Sequence, residues 1–100
     1  MFSHNVYLYP RELAQPGDAQ ELLAGLKTLA QIPGLTLFET GLPALTPDVV
    51  VDNSYLVALI TAFADVVAHD SYQVHPLHLA FIDRCKHLWS SVTVFDSLSA

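Results

Sequence analysis

Between Ser54 and Phe63 the chain reads S-Y-L-V-A-L-I-T-A-F, and this stretch sets the hardest condition on any fold. At strand period, Tyr55, Val57, Leu59 and Phe63 fall on one face, and Leu56, Ala58, Ile60 and Ala62 on the other. A strand that is apolar on both faces is central in its sheet and is covered twice. Helices of the same chain supply one cover. One hundred residues make one domain, 1–100, with no room for a second core, so a second copy best supplies the other. Hydrophobic residues are 52% and charged residues only 14%, against about 25% charged in an average domain. A surface so poor in charge is partly covered by a partner, and a homodimer is expected.

The flanking sequence supplies the other elements. Phe2–Tyr9 alternates, with Phe2, His4, Val6 and Leu8 on one face and Ser3, Asn5, Tyr7 and Tyr9 on the other, which predicts a first strand. After a loop from Pro10 to Gly17, Asp18 and Glu21 resemble a capping box. Leu22, Leu23, Leu26, Leu29 and Ala30 then carry a helix up to Gln31. Gly25 inside this helix either lets it approach the sheet or leaves room for a ligand. Pro33-Gly34 stops the helix, Leu35–Thr40 predicts a second strand, and Gly41 to Asn53 a surface loop. Asp65 caps a helix through about Gln73, a further helix runs from Pro76 to about Trp89, and Val92–Ser97 is the last strand. The order β-α-β-β-α-β, with the second helix broken in two, is an α+β, ferredoxin-like plan.

Chemistry concentrates in Tyr72–Phe81, Y-Q-V-H-P-L-H-L-A-F, where two histidines and a tyrosine stand in an apolar setting. Pro76 fixes its own φ and turns His75 out of the helical region, so the helix starts at Pro76 with His78 in its first turn. Phe81, Ile82, Cys85 and Trp89 follow on its buried face. A helix N-terminus favours the neutral form of a nearby imidazole. Such a histidine is either a satisfied core residue or the polar group of a pocket.

Other chemistries find less support. Lys and Arg number four, scattered, in a chain of net charge -6, which argues against a nucleic-acid partner. No run approaches the eighteen or so apolar residues of a membrane span, and Met1–Pro10 has no signal-peptide pattern. Cys85 is the only cysteine and reads as a small hydrophobe in a reducing, cytoplasmic setting. His75-x-x-His78 has a zinc-like spacing, but the break at Pro76 means the two rings need not share a face. His69, His87 and Cys85 are scattered, and Asp83 with His87 reads as a surface pair four residues apart. No metal and no cofactor are expected.

Several of these residues carry a family resemblance. An N-terminal strand bearing His4, the Ile32-Pro33-Gly34 turn, Ser54-Tyr55 before the central strand and Tyr72-x-x-His75-Pro76-x-His78 match a known pattern. With Phe81 and the closing Val94-Phe95-Asp96, the chain resembles the stress-responsive A/B barrel (Dabb) family over nearly its whole length. The resemblance implies a homodimer in which two four-stranded sheets make a shared barrel. Most members have no assigned activity, and plant members are linked to stress responses. One plant member is a polyketide cyclase whose pocket lies between sheet and helices. There the histidine matching His78 acts with a second histidine on the central strand, beside the tyrosine matching Tyr72. Here the central-strand position is Val57, which removes half of that pair. The implied pocket holds His4, Tyr72 and His78 among Val6, Leu8, Val57 and Leu59, with His78 and Tyr72 as its candidate catalytic residues.

Two function classes follow. One is a small-molecule binder or a cyclase-like lyase or isomerase, in which neutral His78 is the base and Tyr72 polarises a carbonyl. The other is a non-catalytic dimeric stress or structural protein whose histidines are packing. An open cavity beside His78 favours the first, and side chains filling that space favour the second.

Overall fold

A computed structural model describes all 100 residues. The strands are β1 (Phe2–Pro10), β2 (Leu35–Gly41), β3 (Val57–Phe63) and β4 (Trp89–Leu98). The helices are α1 (Asp18–Lys27), α2 (Val66–Gln73) and α3 (Pro76–Cys85), with 3-10 turns at Thr28–Gln31 and Lys86–Leu88. One sheet runs in the order β2-β3-β1-β4, every neighbouring pair antiparallel, so the expected ferredoxin-like α+β plan holds.

Register decides which side chains meet the helices. His4 pairs with Thr61, Val6 with Leu59 and Leu8 with Val57, so the even positions of β1 and the odd positions of β3 share the helix-covered face. There Leu8, Val57, Leu59 and Phe63 join Leu22, Leu26, Leu29, Tyr72, Phe81 and Cys85 in one buried cluster. The opposite face carries Asn5, Tyr7 and Tyr9, with Phe95 opposite Asn5 and 62% exposed. Tyr7 meets Tyr55 and Phe95 edge-on, at 5.1 and 6.2 Å between ring centroids.

Local signals account for most element ends. Gly34 takes φ +97, the left-handed conformation that glycine adopts without strain, and turns the chain from the 3-10 turn into β2. Asp65 accepts a hydrogen bond from Ala68 N at 2.9 Å and caps α2. Pro76 stands at the start of α3, and the ring of His75 caps it by accepting from Leu77 N at 3.1 Å.

Tertiary contacts overrode other expectations. Asp18 makes no capping box. It is buried, and its carboxylate takes both Nε and Nη2 of Arg11, at 2.7 and 2.8 Å, and Gln15 N at 3.1 Å. The third strand begins at Val57 rather than Ser54, because Asp52 accepts from Ser54 N and Oγ and from the Tyr9 hydroxyl, holding residues 52–54 outside the ladder. The last helix stops at Cys85, and Trp89 opens β4 instead of closing the helix. Its ring still stacks on Phe81, 5.7 Å away. Ile82 lies at the exposed edge of α3, and His87 reaches Glu21 of α1 at 3.3 Å rather than Asp83. Gly25 faces α3 rather than the sheet or a ligand: a methyl group there would stand 2.5 Å from Cys85 Sγ and 3.2 Å from the Phe81 ring.

Candidate ligand pocket

The His75-Pro76 break places the two histidines of the motif in different roles. His75 is spent on the cap, and its carbonyl accepts from His78 N at 2.9 Å and Leu79 N at 3.1 Å. His78, one turn into α3, is thereby directed toward the sheet. Tyr72 comes from the last turn of α2, is fully buried, and packs edge-on against Phe63 at 5.0 Å and His78 at 5.0 Å. His4 rises from β1, with its ring 6.3 Å from that of Tyr72.

These three side chains line one cavity of about 140 Å³ between the sheet and the helices. Its walls are mostly apolar: Val6, Leu8 and Leu59 below, Leu26, Leu29, Phe81 and Ile82 above, and Trp89, Val92 and Val94 along β4. The half-buried Gln73 adds one more polar group. Val92 and Val94 are over 40% exposed because the helices do not reach across β4, so the cavity opens on that side. Of the expected lining residues, Val57 is absent. It is fully buried in the core beside Leu8 and turns no surface to the cavity. The α1, Trp89 and β4 contributions were missed because only the sheet register and helix packing bring them to one side.

The polar groups are held in defined states. Burial lowers the pKa of His78 below the usual 6.5, and the neighbouring His4 and His69 lower it further. His4 is lowered as well, chiefly by burial, against the opposing pull of Asp96, whose Oδ1 lies 2.6 Å from His4 Nδ1. Burial pushes the Tyr72 phenol up to about 12, so it keeps its proton at neutral pH. Tyr72 Oη and His78 Nδ1 are both buried and have no hydrogen-bond partner. No hydrogen bond joins these two side chains; they meet ring edge to ring face.

His69 stands alone in the sequence, yet α2 carries it against His4, with 4.6 Å between ring centroids. One donor atom each from His4, His69 and Asp96 lie within 4.8 Å of one another, and both histidines are buried. No spacing in the sequence announced this, because the three come from β1, α2 and β4.

The chain matches the profile of the stress responsive A/B barrel domain (Dabb) family over residues 2–99. No curated protein matches it. Among solved structures, it is similar to a Dabb family protein with a ferredoxin-like fold from Mesorhizobium loti, at 27% identity and TM-score 0.79, covering 99% of this chain and 96% of that one. A dimeric ferredoxin-like protein of unknown function from Jannaschia sp. CCS1 is 26% identical, with TM-score 0.72 and 98% of each chain covered. The hydroxynitrile lyase of Passiflora edulis shares the fold at 16% identity and TM-score 0.79, over 99% of this chain and 93% of that one. No helix of the chain is long and apolar enough to cross a membrane.

Proposed function

The chain belongs to the stress-responsive A/B barrel domain family, and from that premise we propose that it is a homodimeric barrel protein whose His4/Tyr72/His78 cavity holds a small, ring-sized carbonyl compound. The observation that carries this reading is one largely apolar cavity lined by His4, Tyr72 and His78, in which Tyr72 and His78 each keep a buried polar atom, Oη and Nδ1, without a partner in the protein. A buried polar group without a partner costs about 1–3 kcal/mol, and a ligand that satisfies both recovers that loss. The cavity volume is close to that of cavities that take a benzene-sized guest, roughly 150 Å³. That size favours one aromatic ring over an extended polyketide chain. Tyr72 donates to a ligand carbonyl, and the Leu, Val and Phe walls take its hydrocarbon part.

The dimer is supported by the sheet face opposite the helices, where Tyr7, Tyr55 and the exposed Phe95 leave an apolar surface, and by the dimeric relative from Jannaschia. We take the 100 residues as one domain and place it in the reducing cytoplasm, on the buried free thiol of Cys85. Sedimentation at micromolar concentration should give a dimer of the 11.0 kDa chain; a monomer there refutes it.

A second reading, a lyase or isomerase, is favoured by one specific combination. His78 is kept neutral and Tyr72 protonated beside the same cavity. A neutral imidazole can take a proton from the carbon beside a carbonyl while the phenol donates to the enolate oxygen. Val57 leaves this base without the partner histidine of the related cyclase.

Acetophenone tests both readings. Millimolar acetophenone should shift the NMR signals of Tyr72 and His78, and His78→Ala should abolish the response; unmoved signals refute the pocket. In heavy water, the base reading requires the protein to accelerate exchange of the acetophenone methyl protons, and the variant to lose that acceleration. Binding without exchange leaves a binder and removes the enzyme.

A further inference from the structure

We propose that His4, His69 and Asp96 form a binding site for one divalent transition-metal ion of the zinc class. The site does not depend on the ligand reading of the cavity; the two share His4, and Gln73 borders both.

Three elements build the site. Register sets His4 of β1 directly opposite Asp96 of β4, on the helix-facing side of the sheet. The second helix then lays His69 over His4, where its ring is fixed between Phe2 at 4.5 Å and Phe63 at 5.5 Å. The donor atoms lie within 4.8 Å of one another, against the roughly 3.3–3.5 Å that separates ligands around a tetrahedral ion with bonds of about 2.0–2.2 Å. On the His69 side the ligands must close by up to about 1.3–1.5 Å. On the other side the ion replaces the proton between His4 Nδ1 and Asp96 Oδ1, now 2.6 Å apart, and the pair opens slightly.

The donor chemistry selects the ion. Two imidazoles and one carboxylate suit zinc, cobalt or nickel, whereas calcium and magnesium require oxygen ligands. A second, independent feature prepares His69. Its Nδ1 lies 3.1 Å from the Asp70 carboxylate, and the Gln73 amide nitrogen lies 3.3 Å from its Nε2. With the proton on Nδ1 toward Asp70, Nε2 carries the lone pair that the amide now meets. A carboxylate behind a histidine is the support that metal-ligating imidazoles characteristically have. Access is provided by Asp96, whose side chain is 44% exposed while that of His4 is 5%. Three protein ligands leave a further position open, as in catalytic rather than structural zinc sites.

The test uses the full chain, untagged and freed of metal by a chelator, titrated with Co²⁺ alone. Saturable binding of one Co²⁺ per chain, with a visible d–d absorption displaced by Zn²⁺, is expected. His69→Gln and Asp96→Asn should each weaken binding at least tenfold. His87→Ala should leave it unchanged, because His87 pairs with Glu21 on the far surface. Circular dichroism confirms that each variant is folded, and should His69→Gln not fold, the exposed Asp96→Asn decides. Absence of one-per-chain binding, wild-type affinity in Asp96→Asn, or loss of the ion in His75→Ala or His87→Ala overturns the site.

Discussion

The ring of Tyr72 stands edge-on to that of His78, 5.0 Å between centroids, and neither Tyr72 Oη nor His78 Nδ1 has a hydrogen-bond partner. Two polar groups buried without partners are a cost to the fold.

This relationship makes the effect of Tyr72→Phe unusual. Losing a buried tyrosine hydroxyl ordinarily destabilises a protein by about 1 kcal/mol when the hydroxyl is hydrogen-bonded. Here the hydroxyl is unpaired, so the substitution should leave stability unchanged or raise it by up to about 1–2 kcal/mol, while acetophenone binding weakens. Urea unfolding midpoints check this. A clear loss of stability would show that the hydroxyl is satisfied in solution.

His78 should titrate below 6.5, with burial as the main cause. A histidine whose folded pKa is lowered binds its proton more readily in the unfolded chain. Stability therefore falls as pH drops below about 6.5 and levels off once the folded pKa is passed. Imidazole NMR titration reads the pKa directly, and His78→Leu should flatten the part of the slope due to this residue. A pKa at or above 6.5 contradicts the buried, neutral imidazole.

Asp18 gives the opposite sign. The Arg11 guanidinium, and then the Gln15 N–H, hold its carboxyl below the usual range. Its contribution is present above the unfolded pKa of about 3.9 and is lost as pH falls through the folded one. Asp18→Asn should lower the melting temperature at pH 7, and the gap should close toward pH 3. An equal gap at both pH values would assign the loss to packing instead.

Gly25→Ala sets helix propensity against packing. Alanine favours an exposed helix by about 1 kcal/mol over glycine. The added methyl would meet Cys85 Sγ and the Phe81 ring, however, and overpacking of this kind costs about 1–3 kcal/mol. The packing term is larger, so denaturant unfolding should show a net destabilisation, relieved in the double variant Gly25→Ala/Cys85→Ala. A more stable single variant would mean that α1 and α3 separate easily.

The sequence by itself determined the element types and their order. Strand alternation in Phe2–Tyr9, the two-faced apolar run before Phe63, the Pro33-Gly34 stop and the His75-Pro76 break are local signals. Each acts through the backbone of its own few residues, so each can be read without knowing what it packs against. Strand starts such as Val57 and Trp89 shifted because Asp52, Tyr9 and Pro10 hold the neighbouring chain, which is a matter of partners distant in sequence. For the same reason the motif residues Tyr72 and His78 could be named in advance, whereas their missing hydrogen bond could not. The grouping of His69 with His4 and Asp96 was decided only by the tertiary structure. Strand register sets His4 against Asp96 across 92 residues of chain, and the docking of α2 on the sheet turns His69 toward them. Spacing along a chain carries no trace of either, because distance between side chains is fixed by how elements pack and not by how many residues separate them.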